Sequence, residues 1–239
     1  MRVVLLAGGF GTRLNNVPKG LIKVDGKNIL DYIYEQVRQL GVPIYLYSNV
    51  LYAKKYYDWV KDKNIEFYIV PDVLPHNSNG VWGNFMEFSY VFGIDDTLLV
   101  ATDNYFDVDL RDFMNFKNNH NKIIVKYIED KSLIVKRFGN VLFDPYTKRV
   151  IKFVEKPQTI NDVISNYVAT GIIYLNRETI KEYLPMYMSK GNIDSLGGFI
   201  QFLIDKVPVY AYEYYGEWYD VGNLEVINKI KKKHKVDFC

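Results

Sequence analysis

The sequence predicts an α/β fold in which a mixed, mainly parallel sheet carries helices on both faces, with a second half rich in β-strands. Two observations support this prediction. Short apolar runs alternate with amphipathic helical patterns through the first half, which is typical of βαβ units. In the second half, short β-type runs are separated by turn signals at Gly139-Asn140 and at residues 144–148.

In the first half, residues 2–7 form a mostly apolar run typical of a buried strand. Apolar residues then recur at helical spacing over residues 28–40, and Gly41 ends the pattern. We therefore expect a Rossmann-like first half whose ligands bind at the carboxyl ends of the strands. The other elements predicted there are strands over 44–47, 65–70 and 97–101, and helices over 52–61, 82–92 and 110–117.

Strands outnumber helices among the elements predicted for the second half. The predicted strands span 123–128, 133–136, 140–143, 150–155, 167–175 and 209–213, and the predicted helices span 177–187, 198–206 and 224–233. No Pro-, Gly- or Ser-rich linker and no hexapeptide repeat occur in the sequence. We therefore expect one domain over 1–239, made of halves 1–120 and 121–239, with no C-terminal β-helix domain.

Composition narrows the classes of partner. The net charge of +2 gives no support for binding to nucleic acid or to a membrane surface. Cys239 is the single cysteine, so the chain can build neither a disulfide framework nor a cysteine-based zinc site. The first apolar run is too short for a signal peptide or a membrane-spanning helix, so we expect a cytoplasmic protein.

A glycine-rich loop follows the first predicted strand. Gly8, Gly9 and Gly11 lack a Cβ atom, so their backbone N–H groups can approach a phosphate closely. The dinucleotide-binding fingerprint is excluded because Leu14 occupies the position of its third glycine, and no segment matches the P-loop pattern. The loop is therefore predicted to bind the phosphates of a nucleoside triphosphate.

Polar and cationic side chains accompany these glycines. Thr12 adds a hydroxyl group, and Arg13 can donate two parallel hydrogen bonds to phosphate oxygens. Lys19, directly after Pro18, adds a mobile positive charge. The alternative is a glycine-rich turn that binds nothing, which the adjacent Thr-Arg and Pro-Lys pairs disfavour.

An aspartate follows the most apolar predicted strand. Phosphoryl and nucleotidyl transfer depend mainly on positioning and charge neutralisation, and Mg²⁺ prefers one or two carboxylates with substrate oxygens and water. Asp103 comes just after residues 97–101, at the sheet edge where ligands bind, and is the candidate Mg²⁺ ligand. Asp107 and Asp109 are weaker candidates, because Asp109 is placed to cap the next predicted helix.

A charged turn follows the strand predicted over 150–155. Glu155 can accept hydrogen bonds from sugar hydroxyl groups, and Lys156 can pair with a phosphate and reduce the repulsion between two anions. Pro157 ends the strand and stiffens the turn. A Glu-Lys-Pro tripeptide alone is weak evidence for a binding site. The glycine loop and the aspartate at the strand end, which precede it in the sequence, make that evidence stronger.

Several segments resemble, in the same order, the motifs of sugar-1-phosphate nucleotidyltransferases such as glucose-1-phosphate thymidylyl- and uridylyltransferases. The segments are L-A-G-G-F-G-T-R-L at 6–14, P-K at 18–19, T-D-N-Y-F at 102–106, F-G at 138–139, E-K-P at 155–157, N-Y-V-A-T-G at 166–171 and W-Y-D-V-G at 218–222. Thr102 replaces the glycine that is usual in that family. The shared order extends over nearly the whole chain and carries more weight than any single motif.

The resemblance implies transfer of a nucleotidyl group from an NTP to a sugar 1-phosphate, with Mg²⁺ as cofactor. It implies that Arg13 holds the leaving phosphates, that Lys19 lies near the α-phosphate, and that Asp103 and Asp220 bind Mg²⁺. The implied nucleotide-binding residues are Leu6, Ala7, Gly8, Gly9, Gly11, Thr12, Asn79 and Gly80. The implied sugar-phosphate-binding residues are Gly139, Glu155, Lys156, Asn166 and Gly171.

Some assignments stay open. Only three residues separate Leu14 from Pro18, fewer than is common in the sugar enzymes. This keeps a cytidylyltransferase acting on a non-sugar phosphate such as phosphocholine as an alternative, and a non-catalytic nucleotide-sugar sensing subunit is another. UTP or dTTP is the favoured nucleotide, and a homo-oligomer is compatible with the sequence. Asp220 would also suit a helix cap, and Gly171 a strand bulge.

Overall fold

The computed structural model describes residues 1–11, 17–72, 79–190, 195–221, 230 and 236–237. The chain divides into two compact units. The first unit comprises Met1–Ser78, Leu99–Arg111 and Gly216–Cys239, and the second comprises Asn79–Leu98 and Asp112–Tyr215. In the described part of the chain, no helix has the length and apolar character needed to cross a membrane.

Strands and helices alternate along the chain. In chain order, the strands are β1 (Arg2–Ala7), β2 (Lys23–Val24), β3 (Lys27–Asn28), β4 (Ile44–Asn49), β5 (Glu66–Val70), β6 (Thr97–Ala101), β7 (Asn104–Phe106), β8 (Asn121–Tyr127), β9 (Asn140–Phe143), β10 (Val150–Val154), β11 (Tyr167–Leu175), β12 (Val209–Tyr214), β13 (Trp218–Asp220) and β14 (Val236–Asp237). The helices are α1 (Ile29–Val37), α2 (Ala53–Val60), α3 (Gly80–Phe92), α4 (Leu110–Asn115), α5 (Arg177–Met188) and α6 (Leu196–Leu203). Short 3-10 helices occupy Lys19–Leu21, Arg38–Leu40, Val50–Tyr52, Lys131–Leu133 and Ile160–Asp162.

In the first unit, β1 lies between β6 and β4, and β5 continues the sheet beyond β4. The pairs β1–β4 and β4–β5 are parallel. Val3, Val4 and Leu5 of β1 have no exposed surface. A parallel strand that is buried on both faces needs apolar residues at successive positions, which explains the unbroken apolar run.

The ends of α1 follow local sequence chemistry. Asn28 and Asp31 form a capping box at its start, in which Asp31 accepts a hydrogen bond from the backbone N–H of Asn28. The 3-10 turn that follows α1 stops at Gly41, whose left-handed φ of 64° favours glycine. Both boundaries match the sequence prediction.

The second unit is rich in β-structure. β8 pairs with β11 in antiparallel and with β12 in parallel orientation, and β9 pairs in antiparallel orientation with both β10 and β11. Asp144 stabilises the turn between β9 and β10 by accepting hydrogen bonds from the N–H groups of Tyr146 and Thr147. Trp82 of α3 packs edge-on against Phe199 of α6, with the ring centroids 4.6 Å apart. The predicted mixed α/β fold with a β-rich second half is confirmed.

One predicted strand is wrong. Residues 133–136 lie in a 3-10 helix and the turn that follows it. Asp130 starts this helix by accepting a hydrogen bond from Ser132 N–H, which competes with an extended conformation. Ile134 is fully buried, so the apolar residues that suggested a strand instead pack a turn against the core. The helix predicted over 224–233 lies outside the described residues apart from Ile230.

A buried lysine closes the end of α4. Lys122 has no exposed surface, and its Nζ donates hydrogen bonds of 2.6 Å to the carbonyl oxygens of Met114, Phe116 and Asn118. Burial lowers the pKa of Lys122 to about 8, so the ammonium form still predominates at pH 7. Its N–H donors satisfy carbonyls at the end of a helix and in the loop beyond it.

We expect Lys122→Met to lower the free energy of unfolding by roughly 3 kcal/mol, because buried carbonyl oxygens lose their donors. Lys126→Met, further along β8 on a partly exposed side chain, is the control and should change it by no more than about 0.5 kcal/mol. Urea unfolding at pH 7 measures both values. Equal effects would show that Lys122 contributes no more than a surface lysine.

Candidate active site

Buried polar side chains anchor the glycine loop that follows β1. Asn49, at the end of β4 and fully buried, donates its amide hydrogens to Gly8 O at 3.0 Å and Gly9 O at 3.4 Å. Tyr52 donates its hydroxyl to Phe10 O at 2.7 Å. The loop carbonyls are therefore held by the neighbouring strand end, which fixes the path of the backbone. The sequence motif does not reveal Asn49 or Tyr52, because both come from the next βα connection.

The last glycine of the loop is required sterically. Gly11 has a left-handed φ of 61°, and a Cβ atom there would lie 2.2 Å from Val17 O. Gly9, in contrast, has open space where its Cβ would be. Thr12 and Arg13 lie outside the described residues, so their predicted contacts with a triphosphate stay predictions.

Lys19 reaches the aspartate at the end of β6. Its Nζ lies 2.9 Å from Asp103 Oδ2, and the two side chains are 23% and 33% exposed. Gly20 allows this approach: a Cβ there would lie 2.9 Å from Leu30 Cγ and 3.3 Å from Thr102 Cβ. Thr102 also ties the two strand ends together, because its hydroxyl donates to Leu6 O at 3.0 Å. The ends of β1 and β6 thus present Lys19 and Asp103 side by side.

A neutral phenol lies beneath this ion pair. Burial raises the pKa of Tyr56 far above its usual range, and the negative charge of Asp103 acts in the same direction. Hydrogen bonds to the backbone of Gly20 and to Thr102 oppose the shift without reversing it. Tyr56 therefore supplies no ionisable group to the site at neutral pH.

The second predicted metal ligand lies beside the first. β13 pairs antiparallel with β7, and this register sets Asp220 opposite Asn104. Val221 N–H donates to Asp103 O at 2.9 Å, and Asn104 Nδ2 donates to Asp103 Oδ1 at 2.9 Å. Cross-strand partners emerge on the same face of a sheet, so Asp220 and the Asn104 amide share a face. The backbone of Asp220 therefore lies next to that of Asp103, and binding of one metal ion by both carboxylates stays a prediction.

These two carboxylates suit a hard divalent cation. Mg²⁺ commonly takes one or two protein carboxylates and completes its octahedron with substrate oxygens and water. Among the described residues, no group of three or more His, Cys, Asp or Glu side chains could hold a metal ion by itself. The donor set at Asp103 and Asp220 therefore fits Mg²⁺ that arrives with a phosphorylated ligand.

In the second unit, the carboxylate of Glu155 lies in a narrow slot. A Cβ atom added to Gly197 would lie 2.0 Å from Glu155 Oε2, and one added to Gly139 would lie 2.9 Å from the same oxygen. Ser195 donates its hydroxyl to Glu155 Oε1, and Gln201 Oε1 accepts the backbone N–H of Glu155. Gly139 is a predicted site residue, whereas α6 and the residue before it supply the partners that the sequence did not indicate.

Glu155 also lines two cavities of the second unit. One, of about 390 Å³, is bordered by Glu155, Lys156 and Pro157, and a neighbouring cavity of about 340 Å³ shares Glu155. Lys156 Nζ lies 3.7 Å from Glu155 Oε1, and its side chain is 47% exposed. Cavities of this size can hold a small ligand, so the two predicted sugar-side residues border a space large enough for one.

The remaining predicted residues of this unit have structural roles that limit their chemistry. Asn166 donates its amide hydrogens to Ile128 O at 2.8 Å and Glu129 O at 3.0 Å, which leaves its carbonyl oxygen for a ligand hydroxyl. Gly171 lies where the register of β11 against β8 shifts, as expected for a bulge. The Asn79 amide donates to Glu87 Oε1, and Gly80 begins α3; the roles of these two residues in nucleotide binding stay predictions.

Comparison with known proteins places the chain in a family. Residues 2–235 match the nucleotidyl transferase family, so the chain belongs to that family. The matched range contains the two predicted metal ligands, Asp103 and Asp220. It also contains Lys19 and the charged turn at Glu155.

Individual relatives differ in the nucleotide that their names specify. The chain is 30% identical over 229 residues to a Sulfolobus acidocaldarius protein named provisionally as a mannose-1-phosphate guanyltransferase, covering 92% of this chain and 59% of that protein. It is 27% identical over 246 residues to the UTP–glucose-1-phosphate uridylyltransferase of Synechocystis sp., covering 94% and 61%. The chain therefore spans about three fifths of the length of these relatives.

A solved structure confirms the fold class. The CTP:phosphocholine cytidylyltransferase of Streptococcus pneumoniae superposes with a TM-score of 0.77 at 17% identity, over 97% of this chain and 98% of that chain. At this identity, the likeness shows a shared fold, the Rossmann-like α/β fold that the sequence predicts.

We expect Gly11→Ala and Gly9→Ala to differ in stability. Gly11→Ala places a Cβ against Val17 O in a left-handed conformation and should lower the free energy of unfolding by about 1–3 kcal/mol. Gly9→Ala meets open space and should change it by no more than about 0.5 kcal/mol. Chemical denaturation of both variants decides the matter, and equal values would contradict the loop geometry.

Proposed function

We propose that this chain transfers a nucleotidyl group from a nucleoside triphosphate to a sugar 1-phosphate, releasing pyrophosphate. The observation that carries the proposal is the ion pair between Lys19 and Asp103, at 2.9 Å, beside an anchored glycine loop. When a lysine and a carboxylate lie at neighbouring strand ends, the lysine can bind the phosphates of a ligand and the carboxylate can bind the cation that accompanies them. Family membership supports this proposal, and so does the occurrence of the motifs in the same order as in the family.

The reaction needs positioning and charge compensation more than acid–base chemistry. An oxygen of the sugar phosphate forms a bond to the α-phosphorus, while the bond from that phosphorus to the bridging oxygen of the β-phosphate breaks. The electron pair leaves with pyrophosphate. The attacking oxygen is already ionised at neutral pH, so no general base is required. Lys19 offsets negative charge on the α-phosphate, and Arg13 holds the leaving phosphates.

Asp103 and Asp220 would hold Mg²⁺, which supplies charge neutralisation on the triphosphate when bound. Before the nucleotide arrives, the ammonium group of Lys19 occupies one oxygen of Asp103. A phosphate offers this ammonium group an alternative partner. We therefore expect nucleotide and divalent ion to bind more tightly together than either binds alone.

The sugar-phosphate half of the reaction is assigned to the second unit. Glu155 would accept hydrogen bonds from sugar hydroxyl groups, since Ser195 and the flanking glycines fix its carboxylate. Lys156, half-exposed beside it, would pair with the sugar's phosphate. Asn166 has only its carbonyl oxygen left for a hydroxyl group, and Gly171 would let the sugar approach the backbone.

One set of substrate combinations identifies both the nucleobase and the acceptor that the protein uses. UTP, dTTP, CTP and GTP are each combined with glucose 1-phosphate, mannose 1-phosphate or phosphocholine, and pyrophosphate release is measured with Mg²⁺. We expect turnover with a sugar 1-phosphate and with UTP or dTTP. Turnover with CTP and phosphocholine alone would establish the alternative that the short Leu14-to-Pro18 spacing favours. Saturable nucleotide binding without turnover would indicate a sensing subunit.

Lys19→Met should reduce kcat by roughly 10²–10³-fold, because a positive charge at the reacting phosphate is lost. In the absence of nucleotide, the same variant should bind Mn²⁺ more tightly, because Asp103 loses its cationic partner. Lys27→Met is the matched control, since the Lys27–Glu35 ion pair has the same 2.9 Å length and lies on the surface; it should change neither value. Pyrophosphate release and calorimetry provide the two measurements, and normal turnover of Lys19→Met would refute the assignment.

Gly197→Ala should raise the KM for the sugar 1-phosphate by about tenfold or more, a loss of roughly 1.4 kcal/mol, because the new Cβ displaces Glu155 Oε2. Gly198→Ala, the next residue of α6, meets the Tyr187 hydroxyl at 2.4 Å and serves as control. Both variants should lose stability, but only Gly197→Ala should change this KM. The same KM increase in both variants would remove Glu155 from the sugar site.

A further inference from the structure

We propose that Asn104 and Trp218 are positioning residues that aim the carboxylate of Asp103 at its metal ion. This inference rests on the proposed function, since it takes Asp103 as the metal ligand. It extends that function to two residues that would touch neither the ion nor the substrates.

A hydrogen-bond relay connects the three side chains. Trp218 Nε1–H donates to Asn104 Oδ1 at 2.9 Å, and Asn104 Nδ2 donates to Asp103 Oδ1 at 2.9 Å. Trp218 is 9% exposed and Asn104 is 5% exposed. The relay therefore runs from the interior of the first unit to the partly exposed carboxylate.

The relay determines which way the Asn104 amide faces. An indole N–H can only donate, so it must meet the carbonyl oxygen of the amide. The NH₂ group is then directed to Asp103, where a carboxylate can only accept. A rotated amide would place the two acceptors together and leave the buried indole N–H without its partner, which costs free energy.

The strand pair β7–β13 makes the relay possible. Trp218 and Asp220 alternate with Tyr219 along β13, and the register sets Trp218 opposite Phe106 and Asp220 opposite Asn104. Trp218, Asp220 and Asn104 therefore emerge on one face of the pair. Asn104 is thus placed next to both predicted metal ligands, bonded to one and facing the other across the ladder.

The relay leaves the other oxygen of Asp103 free to exchange partners. Oδ1 is held by Asn104, whereas Oδ2 is held by Lys19 at 2.9 Å. When Lys19 moves to a phosphate, Asn104 still fixes the plane of the carboxylate. Being a neutral donor, it does so without cancelling the negative charge that attracts a cation.

The test compares the wild-type protein with Trp218→Phe, Asn104→Ala, the double variant and Trp59→Phe. Trp59→Phe is the matched control: Trp59 is 8% exposed and donates its indole N–H at 2.8 Å to the carboxylate of Asp31, which has no part in the proposed metal site. Calorimetry gives Mn²⁺ affinity without nucleotide. Pyrophosphate release gives kcat and the Mg²⁺ concentration for half-maximal turnover, and urea unfolding identifies variants that fail to fold.

We expect Trp218→Phe and Asn104→Ala each to weaken Mn²⁺ binding by about tenfold or more, and to raise the Mg²⁺ requirement similarly. Trp59→Phe should bind Mn²⁺ like the wild type. The double variant should be no weaker than Asn104→Ala, because Trp218 acts only through Asn104. If Trp218→Phe does not fold, Asn104→Ala decides the question with the indole ring still in place.

The outcomes separate the two proposals. Wild-type Mn²⁺ affinity in Asn104→Ala or a folded Trp218→Phe overturns the inference, and so do additive losses in the double variant; the proposed function then stands if the wild type turns over. Relay-dependent Mn²⁺ binding without turnover for any NTP and sugar 1-phosphate overturns the function and keeps the relay. If the wild type binds no Mn²⁺ without nucleotide, the Mg²⁺ concentration needed for turnover decides the relay. Turnover that needs no divalent ion overturns the metal site and the relay together.

Discussion

The pairing of β13 with β7 is the constraint on which the proposed metal site depends. It returns a distant part of the chain to the end of β6 and sets Asp220 opposite Asn104, next to Asp103. The bond from Val221 N–H to Asp103 O closes this junction. Without the pairing, a lone carboxylate at the end of β6 would make a poor Mg²⁺ site. The two short strands are therefore the structural basis of the proposed metal site.

The first unit prepares the site by fixing backbone with buried polar groups. Asn49 and Tyr52 hold the carbonyl oxygens of the glycine loop, and Thr102 ties β6 to Leu6. Buried hydrogen bonds of this kind define one conformation, because a shifted loop would leave polar groups unpaired. A loop of this composition would otherwise be expensive to order, since glycine loses the most conformational freedom on folding. The residues that hold the glycine loop in place, Asn49 and Tyr52, thus lie outside the glycine motif itself.

The sequence predicted the fold class and most elements, because burial patterns and turn residues are local properties. The family resemblance named Asp103 and Asp220 as joint metal ligands, and the β7–β13 register sets their backbones side by side, while their binding of one ion stays a prediction. The sequence did not predict β7 and β13, since strands this short leave no periodic pattern. The partners Asn49 and Ser195 were missed because each acts on a residue distant in the chain. The wrong strand at 133–136 arose where a side-chain cap outweighed an apolar run.

The partners of a carboxylate distinguish a proposed functional acid from a structural one. Although burial raises the pKa of Glu213, hydrogen bonds from Lys148, Tyr167 and Tyr215 outweigh it and keep that pKa below the usual value. This carboxylate is saturated by the protein. Asp103 and Glu155 also combine neutral donation with a partly exposed lysine, but each accepts from a single neutral donor, an amide or a hydroxyl, whereas Glu213 accepts from two. A neutral donor orients the acid, while a phosphate can compete for the lysine. When the substrate's phosphate binds the lysine, the carboxylate remains negatively charged. It can then bind a cation or accept a hydrogen bond from a hydroxyl group.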